Sequence, residues 1–311
     1  MHILYKIKIS SEGESKMFAQ SKIVPISGGF HVWTRKVGDS PIKMLLLHGG
    51  PGMTHEYLES FQDYLPQEGI EIYFYDQLGS YNSDQPNDPT LWNMDRFREE
   101  VEEVRGYLNL EDCYLLGSSW GGFLGIEYAL KYQSKLKGLI LSNTTASIAA
   151  YTKYINKLRD QLPTEVLNQL KQYEDAEDYK NPEYERLLDE HLNNKHICRL
   201  NPWPEPALRG FGNLNEQVYN TLHGPNEFLV SGNYKDWNAW NKLRDISIPT
   251  LVLGARYDSM SIEDQEEMGR RIPNSRVSIC EFGSHLSMWD DPENYFTYIK
   301  NFVNDVESDQ F

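Results

Sequence analysis

The chain has 311 residues, 40% of them hydrophobic, and a formal net charge of −16. This length allows two domains or one large domain with an insertion, and the apolar share suffices for a sizeable core. The acidic balance argues against binding phosphate backbones, and no stretch reaches the roughly 18 uninterrupted apolar residues of a membrane span.

The first stretch, Met1 to Gln20, is broken up throughout by charged and polar residues and lacks the apolar run and small-residue cleavage site of a signal peptide. A cytoplasmic protein is expected. Residues Ile23–Lys36 read as two strands broken at Gly28-Gly29. Met44–His48 is a short apolar run entering the glycine-rich segment Gly49-Gly50-Pro51-Gly52, and Glu71–Tyr75 is another, closed by Asp76-Gln77. The spacing of Phe97, Val101, Val104 and Leu108 predicts a helix over Met94–Leu108. Cys113–Leu116 is strand-like and runs into Gly117-Ser118-Ser119-Trp120-Gly121-Gly122. A helix over Phe123–Tyr132 and a strand over Leu136–Leu141 follow.

From about Thr145 the strand–helix rhythm stops. Helix-like stretches at Tyr151–Leu162, Thr164–Tyr173 and Pro182–Asn193 lie in a segment rich in Tyr, Trp, Asn, Glu and Lys. The rhythm resumes with a strand at Pro249–Gly254, a helix at Ile262–Ile272, a strand at Arg276–Phe282 and an amphipathic helix at Pro292–Val306. Alternation of short buried strands with helices predicts an α/β fold with a largely parallel sheet. The simplest organisation is an α/β core from residues 1–144 and 242–311, interrupted by a mostly helical cap at 145–241.

Gly117-x-Ser119-x-Gly121 fits the G-x-S-x-G turn that presents a nucleophilic serine between a strand and a helix. Ser118 is out of register and is expected to pack or hydrogen-bond. A serine hydroxyl needs a base, and the base needs a carboxylate to hold its tautomer. In α/β-hydrolases the order along the chain is Ser, acid, His, with each group past the end of a core strand. Asp258, beyond the Pro249–Gly254 strand, and His285, beyond the last strand, fill those places; Asp264 is the runner-up acid but falls in a predicted helix. His48-Gly49-Gly50-Pro51-Gly52 follows a strand and exposes backbone N–H groups suited to a developing oxyanion. One donor is expected from Gly49 or Gly50 and the other from the N–H of Trp120, with His48 a structural group shaping the loop. Cys113, Cys198 and Cys280 form no CxxC pair and indicate neither a disulfide framework nor a zinc site; buried, inert thiols are expected. The acidity either steers a cationic substrate or only maintains solubility.

Together HGGPG at His48–Gly52, YDQLGSYNSDQP at Tyr75–Pro86, GSSWGG at Gly117–Gly122 and GSHLSMWDDPE at Gly283–Glu293 resemble the proline iminopeptidase family. These are α/β-hydrolases that remove an N-terminal residue, preferably proline, from peptides. The stretch His223–Phe228 is similar to the GPNEF segment of the branch that includes tricorn-interacting aminopeptidases. The resemblance carries Ser119, Asp258 and His285 over as nucleophile, acid and base, and Glu227 as the carboxylate that binds the substrate's α-amino group. One departure stands out: that branch places a Glu directly after the triad Asp, and here the position is Ser259. Glu216 is expected to compensate if it reaches the site. Trp203, Trp237 and Trp240 are expected either to line a pocket for a prolyl ring or to pack the cap.

Three readings follow. The first is a serine aminopeptidase acting on a small peptide with a free amino group. The second keeps the chemistry but takes small amino-acid amides or esters, a reading that Ser259 favours. The third is a non-catalytic binding protein on a hydrolase scaffold, which the intact Ser–Asp–His set argues against. Dehalogenase and epoxide-hydrolase chemistry would need a carboxylate where Ser119 stands. Nothing in the sequence calls for a metal or an organic cofactor, a nucleic acid or a membrane, and the oligomeric state is not legible.

Overall fold

The computed structural model describes residues 18–311. The expectation of no signal peptide falls, as far as Met17, outside the described residues. Eight strands form one sheet: β1 (Ala19–Ile26), β2 (Phe30–Val37), β3 (Ile42–Leu47), β4 (Ile70–Asp76), β5 (Cys113–Ser118), β6 (Leu136–Ser142), β7 (Thr250–Ala255) and β8 (Ser275–Cys280). Their spatial order is β1-β2-β4-β3-β5-β6-β7-β8. From β4 through β8 all pairings are parallel, while β2 runs antiparallel to both β1 and β4.

Burial explains this layout. Strands β5 and β7 are buried along their whole length, as is β3 from Met44 to Leu47, so side chains on both faces are covered. At the edge, β1 buries only Val24 and Ile26, as suits a strand with one solvated face.

The helices are α1 (Phe61–Tyr64), α2 (Met94–Tyr107), α3 (Trp120–Tyr132), α4 (Ile148–Arg159), α5 (Thr164–Asp175), α6 (Pro182–Leu188), α7 (Asn194–His196), α8 (Glu205–Gly212), α9 (Glu216–Leu222), α10 (Ile262–Arg271), α11 (Ser287–Asp290) and α12 (Pro292–Glu307). Helix α2 starts where the Asn93 side chain accepts the Arg96 N–H at 3.0 Å, and it buries Phe97, Val101 and Val104. Helix α12 buries Tyr295, Phe296, Ile299, Phe302, Val303 and Val306, a continuous apolar stripe against the sheet.

Helices α4 to α9 all lie between β6 and β7, although these two strands are hydrogen-bonded neighbours. The ends of this inserted segment meet: Ser147 bridges Asn238, and the Ala239 N–H donates to Ala146 O at 2.8 Å. Two of its helices, α8 and α9, were not legible in the sequence. Helix α8 contains Gly210 and Gly212, poor helix formers, and stands by tertiary packing. Its Arg209 reaches three carboxylates, Glu56, Glu59 and Glu205, at 3.0, 2.9 and 3.1 Å. The stretch expected as one helix over Pro182–Asn193 is α6 followed by a π-helical turn at Asp189–Asn193. No helix among the described residues is long and apolar enough to cross a membrane.

Candidate active site

Ser119 stands between the end of β5 and the start of α3 with φ 57° and ψ −122°. A left-handed φ at a non-glycine residue costs on the order of 1–3 kcal/mol, so the surroundings must hold it. They do: the Ser119 N–H donates to Ser142 O at 3.0 Å, and the Ser119 carbonyl accepts from the Gly122 N–H at 2.8 Å and the Thr144 hydroxyl at 2.9 Å. The flanking glycines are steric requirements. A methyl at Gly117 would lie 2.1 Å from the Gly121 carbonyl oxygen, and one at Gly121 would lie 2.2 Å from Leu47 O. Because Gly121 and Gly122 are accommodated inside it, α3 begins at Trp120, three residues before the expected start.

Asp258 follows β7 and is buried; His285 follows β8 and is nearly so. The His285 Nδ1–H donates to Asp258 Oδ1 at 2.7 Å. Asp258 Oδ1 also accepts the Met260 N–H at 3.0 Å, and Oδ2 accepts Asn143 Nδ2 at 2.8 Å. Asn143 is a residue that sequence reasoning passed over. It sits at the end of β6 with φ 49°, and its amide also reaches Ser284 O at 3.1 Å, so it joins the loops that carry acid and base. Burial pushes the His285 imidazole towards its neutral form. The charge and hydrogen bond of Asp258, with the charges of Glu227 and Asp290, outweigh that and raise its pKa to about 9. With Nδ1 bound to Asp258, Nε2 is the nitrogen left for chemistry. The runner-up acid Asp264 lies in the first turn of α10, apart from this arrangement.

The glycine loop after β3 is held from below by His48. The Gln77 N–H donates to His48 Nε2 at 3.0 Å, so the proton sits on Nδ1, which is 2.9 Å from Gly49 O. Burial lowers the His48 pKa to about 4, and the ring is a neutral structural strut as expected. Gln77 Nε2 donates to His48 O at 2.9 Å, and Gln77 Oε1 accepts the Trp120 indole N–H at 3.0 Å. The Asp76-Gln77 pair thus ties the glycine loop to the serine turn, and neighbouring Asp76 accepts His55 Nδ1–H at 2.8 Å.

One expectation needs correction. The Gly49 N–H is committed to Tyr57 Oη at 2.7 Å, so it does not face a reacting oxyanion. The backbone donors left are those of Gly50, in the same loop, and of Trp120, whose N–H opens α3 where helices have no internal acceptor.

Ser119 and His285 open on one cavity of about 330 Å³. Its walls combine apolar side chains, among them Met53, Ile197, Phe211 and Leu214, with Asn226 and Glu227. Among the described residues no lysine or arginine lines it. The segment His223–Phe228 is a turn, braced within itself and held by α6 and α4. His223 Nε2 is 2.9 Å from Asn226 O, Asn226 Nδ2 donates to Tyr184 Oη at 2.8 Å, and Tyr151 Oη donates to Glu227 O. These contacts carry the Glu227 carboxylate into the cavity.

Two further expectations are corrected. Glu216 is on the surface, paired with Lys180 at 2.6 Å, and does not line the cavity. It occupies the first turn of α9, whose buried face is set by Val218, Tyr219 and Leu222, so its own side chain turns to solvent. Trp237 stacks on Phe123 with ring centroids 4.9 Å apart and donates its indole N–H to Glu127 at 2.9 Å. It packs the inserted segment onto α3 and does not line the cavity. Trp240 lies against Arg271, and of the three tryptophans only Trp203 lines the cavity. The three cysteines are buried, and burial raises Cys113 to about 12 and Cys198 to about 11, so the thiolates are disfavoured.

A mostly parallel sheet that turns at β5–α3 through a strained serine, and collects an Asp–His pair past its last two strands, is the architecture of the α/β-hydrolase fold. The family model described as alpha/beta hydrolase fold matches residues 43–292. A proline iminopeptidase of Flavobacterium johnsoniae is 45% identical, covering 93% of this chain and 99% of that protein. One of Elizabethkingia meningoseptica is 46% identical, covering 93% and 100%. The crystal structure of a proline iminopeptidase from Mycobacterium smegmatis superposes with a TM-score of 0.86 at 29% identity, covering 94% of this chain and 100% of that one. The chain belongs to the proline iminopeptidase family.

Proposed function

We propose that the protein is a serine aminopeptidase that releases an N-terminal residue, proline above all, from short peptides. The observation that carries the reading is the cavity itself: Ser119, His285 and Glu227 all face it. Ser119 Oγ attacks the carbonyl of the first residue while His285 Nε2 takes its proton. Asp258 holds the imidazole by Nδ1 and stabilises the imidazolium. The N–H groups of Gly50 and Trp120 receive the oxyanion. His285 returns the proton to the departing amine, leaving an acyl-enzyme, and water activated by the same imidazole releases the amino acid and restores Ser119.

Glu227 accepts the substrate's ammonium, a charge-assisted contact strengthened by partial exclusion of water. The inserted segment 145–241 is, in this reading, the cap that brings amine recognition to the sheet. A cavity of about 330 Å³ lies at the small end of ligand pockets, roughly 300–1,000 Å³. That suits one small residue with a short extension. The nearest competing reading, turnover of amino-acid amides or esters, draws on Ser259: the loop after Asp258 supplies no second carboxylate for the amine.

A panel of aminoacyl p-nitroanilides, prolyl amide and short prolyl peptides tests the proposal. Prolyl p-nitroanilide and prolyl peptides should be turned over fastest. Efficient hydrolysis of prolyl amide without any peptide cleavage would replace the first reading by the second. Failure of a fluorophosphonate to label Ser119 would remove both.

A further inference from the structure

The residue after Asp258 is Ser259, fully buried. Its hydroxyl donates to Glu227 Oε1 at 2.9 Å. The same oxygen lies 3.4 Å from Asp258 Oδ1 and 3.5 Å from His285 Nδ1. A hydroxyl has one proton to give. Asp258 Oδ1 already accepts two N–H groups at shorter range, from His285 and Met260, so the proton goes to Glu227. Among the described residues, the Ser259 hydroxyl thus lies within reach of both the Glu227 carboxylate of the inserted segment and the buried acid–base pair of the sheet.

We propose that Ser259 is a positioning residue that fixes the Glu227 carboxylate beside the Asp258–His285 pair, so that a substrate ammonium docked on Glu227 is sensed by the base. The inference rests on the reading of Glu227 as the amine site and says how that site is built and what it does beyond binding. A glutamate on a turn has three side-chain torsions to restrain, and the hydroxyl contact at 2.9 Å restrains them. With one carboxylate and one neutral hydroxyl, the Glu227–Ser259 pair carries a single negative charge, although Asp189 lines another part of the same cavity. Docking an ammonium there cancels the charge.

The consequence for the base follows from simple electrostatics. Several charged groups face His285. Asp258 comes from the loop after β7, Glu227 from the turn after α9 and Asp290 from α11. His196 and Arg199 lie in the inserted segment: His285 N–H donates to His196 O at 2.9 Å, and Arg199 N–H donates to Asp290 Oδ2 at 3.1 Å. Tyr57 lines the cavity from the segment after the glycine loop. Of these three carboxylates, Glu227 is the one that lines the cavity; Asp189 lines it too but is not among the charges acting on His285. In the free protein its charge favours the imidazolium, which cannot accept the serine proton. An ammonium on Glu227 removes that bias, and the imidazole is released as a base when a substrate with a free amine is in place. Discrimination for the amine is then expressed in the chemical step as well as in binding.

The test compares L-prolyl p-nitroanilide with p-nitrophenyl butyrate, which has no amine, across pH for the wild type and for Ser259→Ala, Ser259→Thr and Glu227→Gln. Fluorophosphonate titration of Ser119 counts correctly folded sites in each. Losing a hydrogen bond to a charged group should raise KM for the prolyl substrate roughly tenfold in Ser259→Ala, against less than about twofold for the ester. Ser259→Thr, which keeps the hydroxyl, should recover most of that loss. The acid limb of kcat for the prolyl substrate should lie below the acid limb of kcat/KM for the ester in the wild type, and Glu227→Gln should lower the ester's limb. Equal losses on both substrates in Ser259→Ala, while Glu227→Gln remains selective for the amine substrate, would overturn the role of Ser259 alone. A Glu227→Gln variant that harms both substrates equally would overturn the amine site itself.

Discussion

The indole N–H of Trp120 donates to Gln77 Oε1 at 3.0 Å, which locks the residue after the candidate nucleophile to the residue that props the glycine loop. Both sides of the oxyanion site therefore depend on one buried amide. Replacing Gln77 by Ala would leave the Trp120 indole N–H and the His48 carbonyl without partners. We expect a stability loss of about 1–3 kcal/mol in urea denaturation. We also expect kcat to fall by roughly tenfold or more while KM changes little, because the donors serve the transition state.

Ser119→Ala should abolish turnover by several orders of magnitude, to roughly the residual catalysis of an oxyanion site without its nucleophile. It should leave the melting curve nearly unchanged, since Ala keeps the strained φ. Ser119→Gly separates strain from chemistry. With glycine at φ 57° the protein should be as inactive but more stable, by on the order of 1 kcal/mol. Calorimetry on the pair of variants checks this, and a Gly variant no more stable than Ala would show that the turn is unstrained.

Glu227→Ala should reduce kcat/KM for prolyl p-nitroanilide by roughly a hundredfold, in line with loss of a charge-assisted contact in a partly desolvated site. Hydrolysis of p-nitrophenyl butyrate should fall far less. Glu216→Ala, by contrast, removes only an exposed pair with Lys180 and should alter neither activity nor stability measurably.

Acid should destabilise the fold partly through His48. Its pKa is lowered to about 4 by burial, against the ordinary 6.5. Between those values the unfolded chain binds a proton that the native protein refuses, so stability rises with pH across that window and falls as pH drops through it. The contribution amounts to roughly 2–3 kcal/mol between neutrality and pH ~4.5. His285 works in the other direction. Its pKa is raised to about 9, so its stabilising contribution is complete below pH 6.5 and disappears as pH rises through 9. Urea midpoints of the wild type and of His48→Gln at several pH values test the first effect: the variant should lose less stability on acidification.

Much of the site was legible because its signals are local. The run Cys113–Leu116 followed by Gly117-x-Ser119-x-Gly121 encodes a strand, a turn that admits no Cβ on either side, and a helix. The acid and base each follow a strand of six residues, so Asp258 and His285 could be found from chain order and strand ends. The loop His48–Gly52 was legible as an oxyanion segment, but not which of its N–H groups is free. That depends on Tyr57, whose hydroxyl reaches Gly49 from a separate turn.

The inserted segment was legible least. Glu216, Trp237 and Trp203 are chemically plausible site residues, and only Trp203 reaches the cavity. Helix α8 has weak propensity and is held by Arg209 against Glu56 and Glu59, some 150 residues away in the chain. Asn143 carried a faint signal in the sequence, a polar residue just past a strand, and only its left-handed φ and its contact with Asp258 in the structure make it meaningful.

Amino-acid order alone determined the alternation of strands and helices, the steric need for glycine around Ser119 and the positions of Asp258 and His285 beyond their strands. Each is a property of a few adjacent residues and their backbone preferences. The tertiary structure decided which groups meet: Gln77 with Trp120, Tyr57 with Gly49, and Glu227 with Ser259. Those contacts join different loops and elements, and their geometry follows from how the loops and the inserted segment pack around the sheet, which no local pattern contains.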